Sequence, residues 1–244
     1  MQTAVNPARR LWTAEEFSRM GALGILPESG VDLVGGEVRE RNAWGTPRRW
    51  TYDDWERMVA GGVLDEDERL ELVDGDLVCM TPVGDRHMYT VDLVAEYLWS
   101  QMRGRAVVRV QSPLKFHAGE APIPDLVLLR MTEDRYGLRK AGPWDALLVV
   151  EVSDTSLARD LAKAGQYAQA AIPEYWIVDV NRPAVLVHQA PVGGEYTDVR
   201  QYRHGQAFSS PALDGRAVRV DEVLGPALSP LALERGSHRE CLPH

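Results

Sequence analysis

Two apolar runs limit the folds that are open to this chain. Residues 146–152 read ALLVVEV, and residues 174–180 read EYWIVDV. Runs of this length without polar alternation are typical of strands that are buried on both faces. A helix is predicted between them over 157–171, with Thr155 and Ser156 as candidate N-cap residues. Together with the remaining elements, this order predicts an α/β fold with a mixed central sheet flanked by helices.

The rest of the chain supplies further strands and one long helix. An apolar stripe of helical spacing predicts an amphipathic helix over 86–103, and Gly104 suits its C-terminal end. Further strands are predicted at 106–110, 112–117, 125–130, 184–189, 196–203 and 216–220.

An internal sequence repeat precedes these elements. Residues 12–38 and 50–77 align from Trp12 on Trp50 to Gly36 on Gly75. Each copy predicts a capped helix followed by a hairpin, and Asp74-Gly75 is typical of a type I′ turn. We therefore divide the chain into three parts. They are an N-terminal appendage at 1–48 that partly duplicates the opening module, a main domain at 49–225 and a loose tail at 226–244.

Composition excludes several classes of protein. The chain has 27 basic and 36 acidic residues, and its net charge of −9 disfavours a general nucleic-acid coat or a polybasic membrane binder. The sequence lacks an apolar run of bilayer length and a hydrophobic signal segment at its start, so we expect no membrane partner. Its two cysteines lack metal-ligand spacing, which excludes a disulfide scaffold and favours a reduced, cytoplasmic protein.

Two carboxylates stand out because they lie within apolar strands. Phosphate-binding loops, dinucleotide-binding glycine motifs, hydrolase elbows and the HExxH motif are missing from the sequence. Asp125 opens the strand at 125–130, and Glu151 lies near the end of the strand at 146–152. If these strands pair antiparallel, the two carboxylates meet at one end of the sheet. With a backbone carbonyl they would suit Mg²⁺ or Mn²⁺.

The helix at 157–171 offers a cation to the same site. At 100° per residue, its sheet-facing residues are expected to be Leu157, Leu161, Ala164 and Ala168. Asp160, Lys163 and Tyr167 then form a stripe at the edge of that face. Lys163 could stabilise phosphoryl charge, but Asp160 and Lys163 could equally form a surface ion pair.

Several segments together resemble the Uma-two family of restriction-endonuclease-like proteins, within the PD-(D/E)XK phosphodiesterase superfamily. The resemblance covers roughly 50–205, and its individual motifs are weak while their combination is specific. It rests on PDLVLL at 124–129, LLVVEVSDTS at 147–156, the spacing of Asp160, Lys163 and Tyr167, IPEYWIVDV at 172–180, and ELVDGDLVCMTP at 71–82 with His87 after it.

The resemblance implies a catalytic site residue by residue. Asp125, Glu151 and the backbone carbonyl of Val152 would bind Mg²⁺ or Mn²⁺, and Lys163 would replace the usual lysine, where this chain has Ser153. The other implied residues have lesser roles: Glu71 could touch a second metal, His87 could bind phosphate or order Glu71, and Asp160 and Tyr167 would be supports. Asp32 occupies the place of Glu71 in the first copy.

Each of these residues also has an ordinary structural interpretation. Asp125 could begin a strand or cap a turn, and Glu151 could be a buried acid with all its hydrogen bonds made. Glu71 could face solvent on its hairpin, and His87 could be an ordinary residue at a helix start. We expect Tyr175 and Trp176 to belong to the core.

The function implied by the resemblance is metal-dependent hydrolysis of DNA phosphodiester bonds by an endonuclease. One alternative is an inactive nuclease fold that serves as a nucleic-acid or protein binding module, which the acidic net charge favours mildly. Another is a phosphodiesterase acting on RNA or a small nucleotide. A homodimer is left open. A basic path to the site could use Arg103, Arg105, Arg109 and Arg159.

Overall fold

A mixed six-stranded sheet forms the centre of the protein, as a computed structural model of residues 8–65, 67–80 and 84–225 describes it. The strand order is β10-β9-β8-β7-β6-β5. The β7/β8 pair is parallel and the other pairs are antiparallel. The predicted α/β fold with a mixed central sheet is therefore confirmed. The sheet strands are β5 (Ala106–Val110), β6 (Leu126–Arg130), β7 (Ala146–Ser153), β8 (Glu174–Asp179), β9 (Ala184–Val192) and β10 (Glu195–Arg203).

Helices and three two-stranded ribbons surround this sheet. The helices are α1 (Ala14–Ala22), α2 (Tyr52–Ala60), α3 (Asp85–Met102), α4 (Leu157–Gln169) and α5 (Val220–Leu224). The ribbons are β1 (Val31–Val34) with β2 (Glu37–Glu40), β3 (Leu70–Val73) with β4 (Asp76–Cys79), and β11 (Ala207–Ser210) with β12 (Arg216–Arg219). The ribbon strand β11 and the helix α5 were not predicted.

The two apolar runs form the middle of the sheet, as expected. Both faces of β7 and β8 are covered, and Tyr175 and Trp176 are fully buried on opposite sides. Helix α3 packs its apolar stripe on the Trp176 side, whereas α4 lies on the Tyr175 side. The apolar composition of these strands thus reflects burial between two helical layers.

Helix α4 is rotated from its predicted orientation. Leu161 was expected to face the sheet, but 43% of it is exposed. Asp160 and Tyr167 were expected at the edge of that face, but both are buried. The prediction failed because it ranked residues by hydropathy, whereas these polar groups are buried with hydrogen-bond partners.

Residues 112–117 do not form the strand that was predicted for them. Gln111 has a positive φ of 44°, which turns the chain away at the end of β5. Pro113 then lacks the N–H that a ladder requires. The amides that follow find separate partners: Leu114 bonds to the Pro122 carbonyl and Lys115 to that of Ala141.

The C-terminal ribbon is tied to the sheet by a buried carboxylate. Glu174 of β8 is fully buried and accepts hydrogen bonds from the indole of Trp176, the hydroxyl of Ser210 and the amide of Ala212. These bonds satisfy a group that would otherwise be costly to bury. The tail predicted at 226–244 lies outside the described residues.

Both copies of the opening module fold as predicted. Thr13 and Thr51 each cap their helix through a reciprocal capping box. The hairpin turn Asp74-Gly75 has positive φ at both residues, as a type I′ turn requires. The two copies share one apolar cluster, in which Trp12 and Trp50 meet edge to face. The domain boundary at residue 48 stays a prediction.

Candidate active site

Two strands bring Asp125 and Glu151 together, as the sequence predicted. Leu126 pairs with Val150 in antiparallel register, so the preceding Asp125 lies beside Glu151. The amide of Asp125 donates to Glu151 Oε2 at 3.4 Å, and the amide of Val152 donates to Asp125 Oδ2 at 2.8 Å. Both side chains are buried. The convergence follows directly from the register of β6 and β7.

Lys163 connects this pair to the opening module. Its Nζ donates to Glu151 Oε1 at 3.0 Å and to Glu71 Oε1 at 3.2 Å. Tyr167, one turn further along α4, donates its hydroxyl to Glu151 Oε1 at 2.8 Å. Glu71 also accepts from the amide of Ile123 at 3.2 Å. Glu71 therefore lies in the site and does not face solvent.

His87 completes the cluster from the first turn of α3. Its Nε2 lies 2.9 Å from Asp125 Oδ1. The sequence interpretation had it binding phosphate or ordering Glu71, whereas its partner in the structure is Asp125. Asp160 lies deeper, where the Ser156 hydroxyl donates to it.

The carboxylates outnumber the cations here, and this governs the electrostatics. Burial raises the pKa of Glu151. The Lys163 charge opposes this shift, while the charges of Asp125, Asp160 and Glu71 add to it. Burial lowers the pKa of Lys163, but the charges of Glu151 and Glu71 outweigh it and leave that pKa raised. The cluster therefore holds more negative charge than one ammonium group balances.

Burial also disfavours a charged His87, but its hydrogen bond to Asp125 and the charges of Asp125 and Glu151 outweigh this. The net result is a raised pKa for His87. Burial likewise raises the pKa of Tyr167 well above its usual value, so its hydroxyl remains a donor to Glu151.

The donor set suits a hard divalent cation. Two carboxylates and a backbone segment meet at one end of the sheet, and their oxygens are the ligands that Mg²⁺ and Mn²⁺ prefer. The excess negative charge around Glu151 also favours a cation. Within the part of the chain that the structure describes, no group of three or more His, Cys, Asp or Glu residues is placed to hold a metal ion.

Two arginines stand at the mouth of the pocket that these residues line. Arg159 of α4 and Arg69, which precedes β3, are both exposed and lie on its wall. Arg69 was missed in the sequence, although it lies two residues before Glu71 and so on the same side of an extended chain.

Three of the four arginines proposed for a basic path lie elsewhere. Arg105 pairs with Asp214, and Arg109 donates to the carbonyls of Arg135 and Tyr136. Arg103 lines a separate surface pocket beside Trp99. Spacing along the sequence could not show this, because it depends on the register of β5: its first residue, Ala106, pairs with Arg130, at the opposite end of β6 from Asp125.

Residues 51–221 match the family model Uma2, described as "Putative restriction endonuclease". The chain belongs to this Uma-two (Uma2) family. The match begins in the second copy of the opening module, so the first copy lies outside it. Among the described residues, no helix is both long and apolar enough to cross a membrane.

The fold of the chain is shared with a solved structure. This chain is similar to that structure, a protein of Anabaena variabilis ATCC 29413 described as a "putative nuclease belonging to DUF820". The TM-score is 0.55 at 12% sequence identity, over 71% of this chain and 97% of that one. None of the curated proteins matches the chain.

Proposed function

We propose that this Uma2 protein is a metal-dependent endonuclease that hydrolyses DNA phosphodiester bonds. The observation that supports this best is the meeting in one pocket of Asp125, Glu151 and Lys163, which come from the start of β6, from β7 and from α4. Family membership alone would not assign the chemistry, because one fold can serve several functions.

Asp125, Glu151 and the Val152 carbonyl are the residues that would hold Mg²⁺ or Mn²⁺. Such an ion polarises a phosphoryl oxygen and lowers the pKa of water. Hydrolysis forms a bond from a water oxygen to phosphorus and breaks one ester P–O bond, and the departing oxygen takes up a proton. Lys163 holds Glu71 and Glu151 in place, and its charge lies where phosphoryl charge would develop.

The arginines at the pocket mouth fit the approach of a phosphate backbone. Without cations at its entrance, the acidic cluster would repel a polyanion. Arg69 and Arg159 place positive charge on the pocket wall beside the carboxylates. We assign them contacts to phosphates on either side of the bond that is cut.

A plasmid assay tests the proposal. Supercoiled plasmid is incubated with the full chain and Mg²⁺, Mn²⁺ or EDTA, beside the variants Glu151→Gln and Lys163→Met. Lys115→Met is the matched lysine control, because Lys115 forms a surface ion pair with Asp53. We expect metal-dependent nicking that both site variants lose and the control retains. Equal nicking by all four proteins would overturn the proposal.

Parallel panels of RNA and dinucleotides with the same metals define the substrate. Cleavage of these in place of plasmid would replace DNA as the substrate and leave the phosphodiesterase chemistry standing. If plasmid, RNA and dinucleotides all stay intact while calorimetry detects nucleic-acid binding, the binding-module alternative holds.

A further inference from the structure

The two copies of the opening module contact each other in a reciprocal manner. The amide of Arg10, before α1, donates to the carbonyl of Leu77 in the hairpin of the second copy, at 2.8 Å. The amide of Arg48, before α2, donates to the carbonyl of Val38 in the hairpin of the first copy, also at 2.8 Å. Exchanging the copies therefore reproduces the same pair of bonds.

A second pair of backbone bonds repeats this relationship. The amide of Cys79 donates to the carbonyl of Ala8, and the amide of Glu40 donates to that of Thr46, each at 2.9 Å. In both cases the hairpin of one copy gains a single β-bridge from the segment that leads into the other copy, Val78 with Arg9 and Arg39 with Pro47. The same bridge is thus made in both directions between the copies.

The side chains follow the same symmetry. Trp12 and Trp50 meet with their ring centroids 5.4 Å apart. The guanidinium of Arg10 lies over Trp12 at 4.7 Å, and that of Arg48 lies over Trp50 at 5.3 Å. Each copy thereby presents the same arginine–tryptophan pair to the other.

The helix ends match as well. A Cβ on Gly62 would lie 3.2 Å from the Arg19 guanidinium, and one on Gly24 would lie 3.7 Å from that of Arg57. Both glycines have nearly the same φ, 64° for Gly24 and 66° for Gly62. An interface in which each partner offers the same patch to the other is isologous, as in a twofold homodimer.

The symmetry ends where the second copy joins the central domain. Leu72 of β3 pairs with Ala121, and its neighbour Glu71 bonds to Lys163. Asp32, the counterpart of Glu71, instead pairs with Arg41 at the surface. The first copy therefore repeats the pairing face of the module without contributing to the catalytic cluster.

We propose that one face of the opening module at 50–77 would otherwise pair with the same face of a second chain, and that residues 8–48 cover this face within a single chain. Residues 8–48 thus act as a built-in partner. The protein is then a monomer, and each particle carries a single catalytic cluster. A single cluster cuts one strand of a duplex per encounter, so the product is a nick. The nicking part rests on the proposed function, whereas the monomeric state does not.

The first test is the mass of the full chain, measured by sedimentation equilibrium up to about 100 µM. We expect the single-chain mass of 27.2 kDa at every concentration. A twofold mass overturns the proposal. This measurement needs no activity, so an inactive monomer would refute the nuclease function and leave the built-in partner standing.

The second test uses mixed chains on plasmid in excess. An inactive Glu151→Gln chain is added at about tenfold excess over the wild-type chain. If the active unit is one chain, the nicking rate is unchanged and nicked circles accumulate before linear plasmid. An active homodimer would cut both strands in one encounter and give linear plasmid directly, and the excess of inactive chain would convert that product into nicked circles, because nearly every wild-type chain would pair with an inactive one. That outcome overturns the proposal.

The third test opens the shared face in the full chain. Val38→Asp places a charge in the buried cluster between the copies, and Val34→Asp places one on the exposed side of the same ribbon as a control. We expect concentration-dependent dimers from Val38→Asp and monomers from Val34→Asp. A folded Val38→Asp chain that stays monomeric overturns the proposal. If that chain unfolds, the first two tests decide.

Discussion

Lys163 Nζ lies 3.0 Å from Glu151 Oε1, although the lysine is on a helix and the glutamate on the strand before it. Two residues after the glutamate, where the sequence resemblance would place a lysine, this chain has the buried Ser153. The structure thus brings an ammonium group to the same carboxylate from the neighbouring helix. The separation of 12 residues along the chain is closed by the turn from β7 into α4.

Lys163→Met should lower the nicking rate by about 100-fold, the usual loss when one charge-stabilising group is removed. Loss of the ammonium also leaves Glu71 and Glu151 without their shared partner. Initial rates on plasmid, with circular dichroism to verify folding, measure the effect. Lys115→Met should keep its rate within about twofold. A similar loss in both variants would contradict the assigned role.

Glu71→Gln and Asp32→Asn compare the same position in the two copies. Glu71 accepts from Lys163 inside the site, so we expect its loss to lower nicking by about 10- to 100-fold. Asp32 is paired with Arg41 at the surface, so Asp32→Asn should leave the rate unchanged. Single-turnover rates of the two variants, measured at the same metal concentration, make the comparison. Equal rates would remove Glu71 from the active site.

Tyr167→Phe deletes one hydrogen bond to Glu151 and leaves the ring in place. We expect about 1–3 kcal/mol of lost stability, because the buried carboxylate loses a donor. We also expect a lower kcat with an unchanged KM, since Tyr167 acts through Glu151. Urea unfolding and steady-state kinetics measure these effects. Tyr175→Phe is the control, because its hydroxyl bonds to the Asp160 carbonyl. A change in KM alone would argue against this role.

Metal affinity should rise with pH. Burial raises the pKa of Glu151 to about 7. Below that pH the carboxyl is protonated, and a metal ion must displace the proton to bind. Affinity should therefore fall by up to about tenfold for each pH unit below 7 and level off above it. Calorimetry in buffers of different ionisation enthalpy counts the proton released. A pH-independent affinity would exclude Glu151 as a ligand.

Arg159→Ala should weaken DNA binding equally for all sequences and reduce the slope of log affinity against log salt by about 1, as expected for a phosphate contact. Arg105→Ala is the control, because Arg105 pairs with Asp214 away from the pocket. Fluorescence anisotropy of a labelled duplex over a salt series gives both slopes. An unchanged slope for Arg159→Ala would place the phosphate path elsewhere.

The convergence of Asp125 and Glu151 could be predicted from the sequence because it depends on a single strand pairing. Once β6 and β7 are antiparallel, Asp125 and Glu151 must meet. Glu71 could not be placed, because its ribbon is a separate two-stranded sheet that joins the central domain through Leu72 and Ala121. Contacts of that kind depend on packing between distant segments, and the hydropathy of a single segment does not show them.

The rotation of α4 shows a second limit of the sequence. Hydropathy placed Leu161 inside, yet the buried side of the helix carries Asp160 and Tyr167. A polar group can be buried when it has hydrogen-bond partners. Here Ser156 is the partner of Asp160, and Glu151 is the partner of Tyr167. Glu151 lies on β7, and Ser156 is the N-cap residue of α4, so neither belongs to the helical stripe itself. Hydrophobic periodicity therefore predicts the wrong buried face for a helix that contributes polar side chains to a buried site.

The buried carboxylate of Glu174 has a consequence for synthesis on the ribosome. Its last donors, Ser210 and Ala212, follow it by 36 and 38 residues in the chain. Until those residues leave the exit tunnel, burying strand β8 would leave the Glu174 carboxyl without two of its hydrogen-bond donors. We therefore expect the sheet to reach its final packing only after the C-terminal ribbon has been made, and a chain that ends before residue 210 to remain incompletely folded.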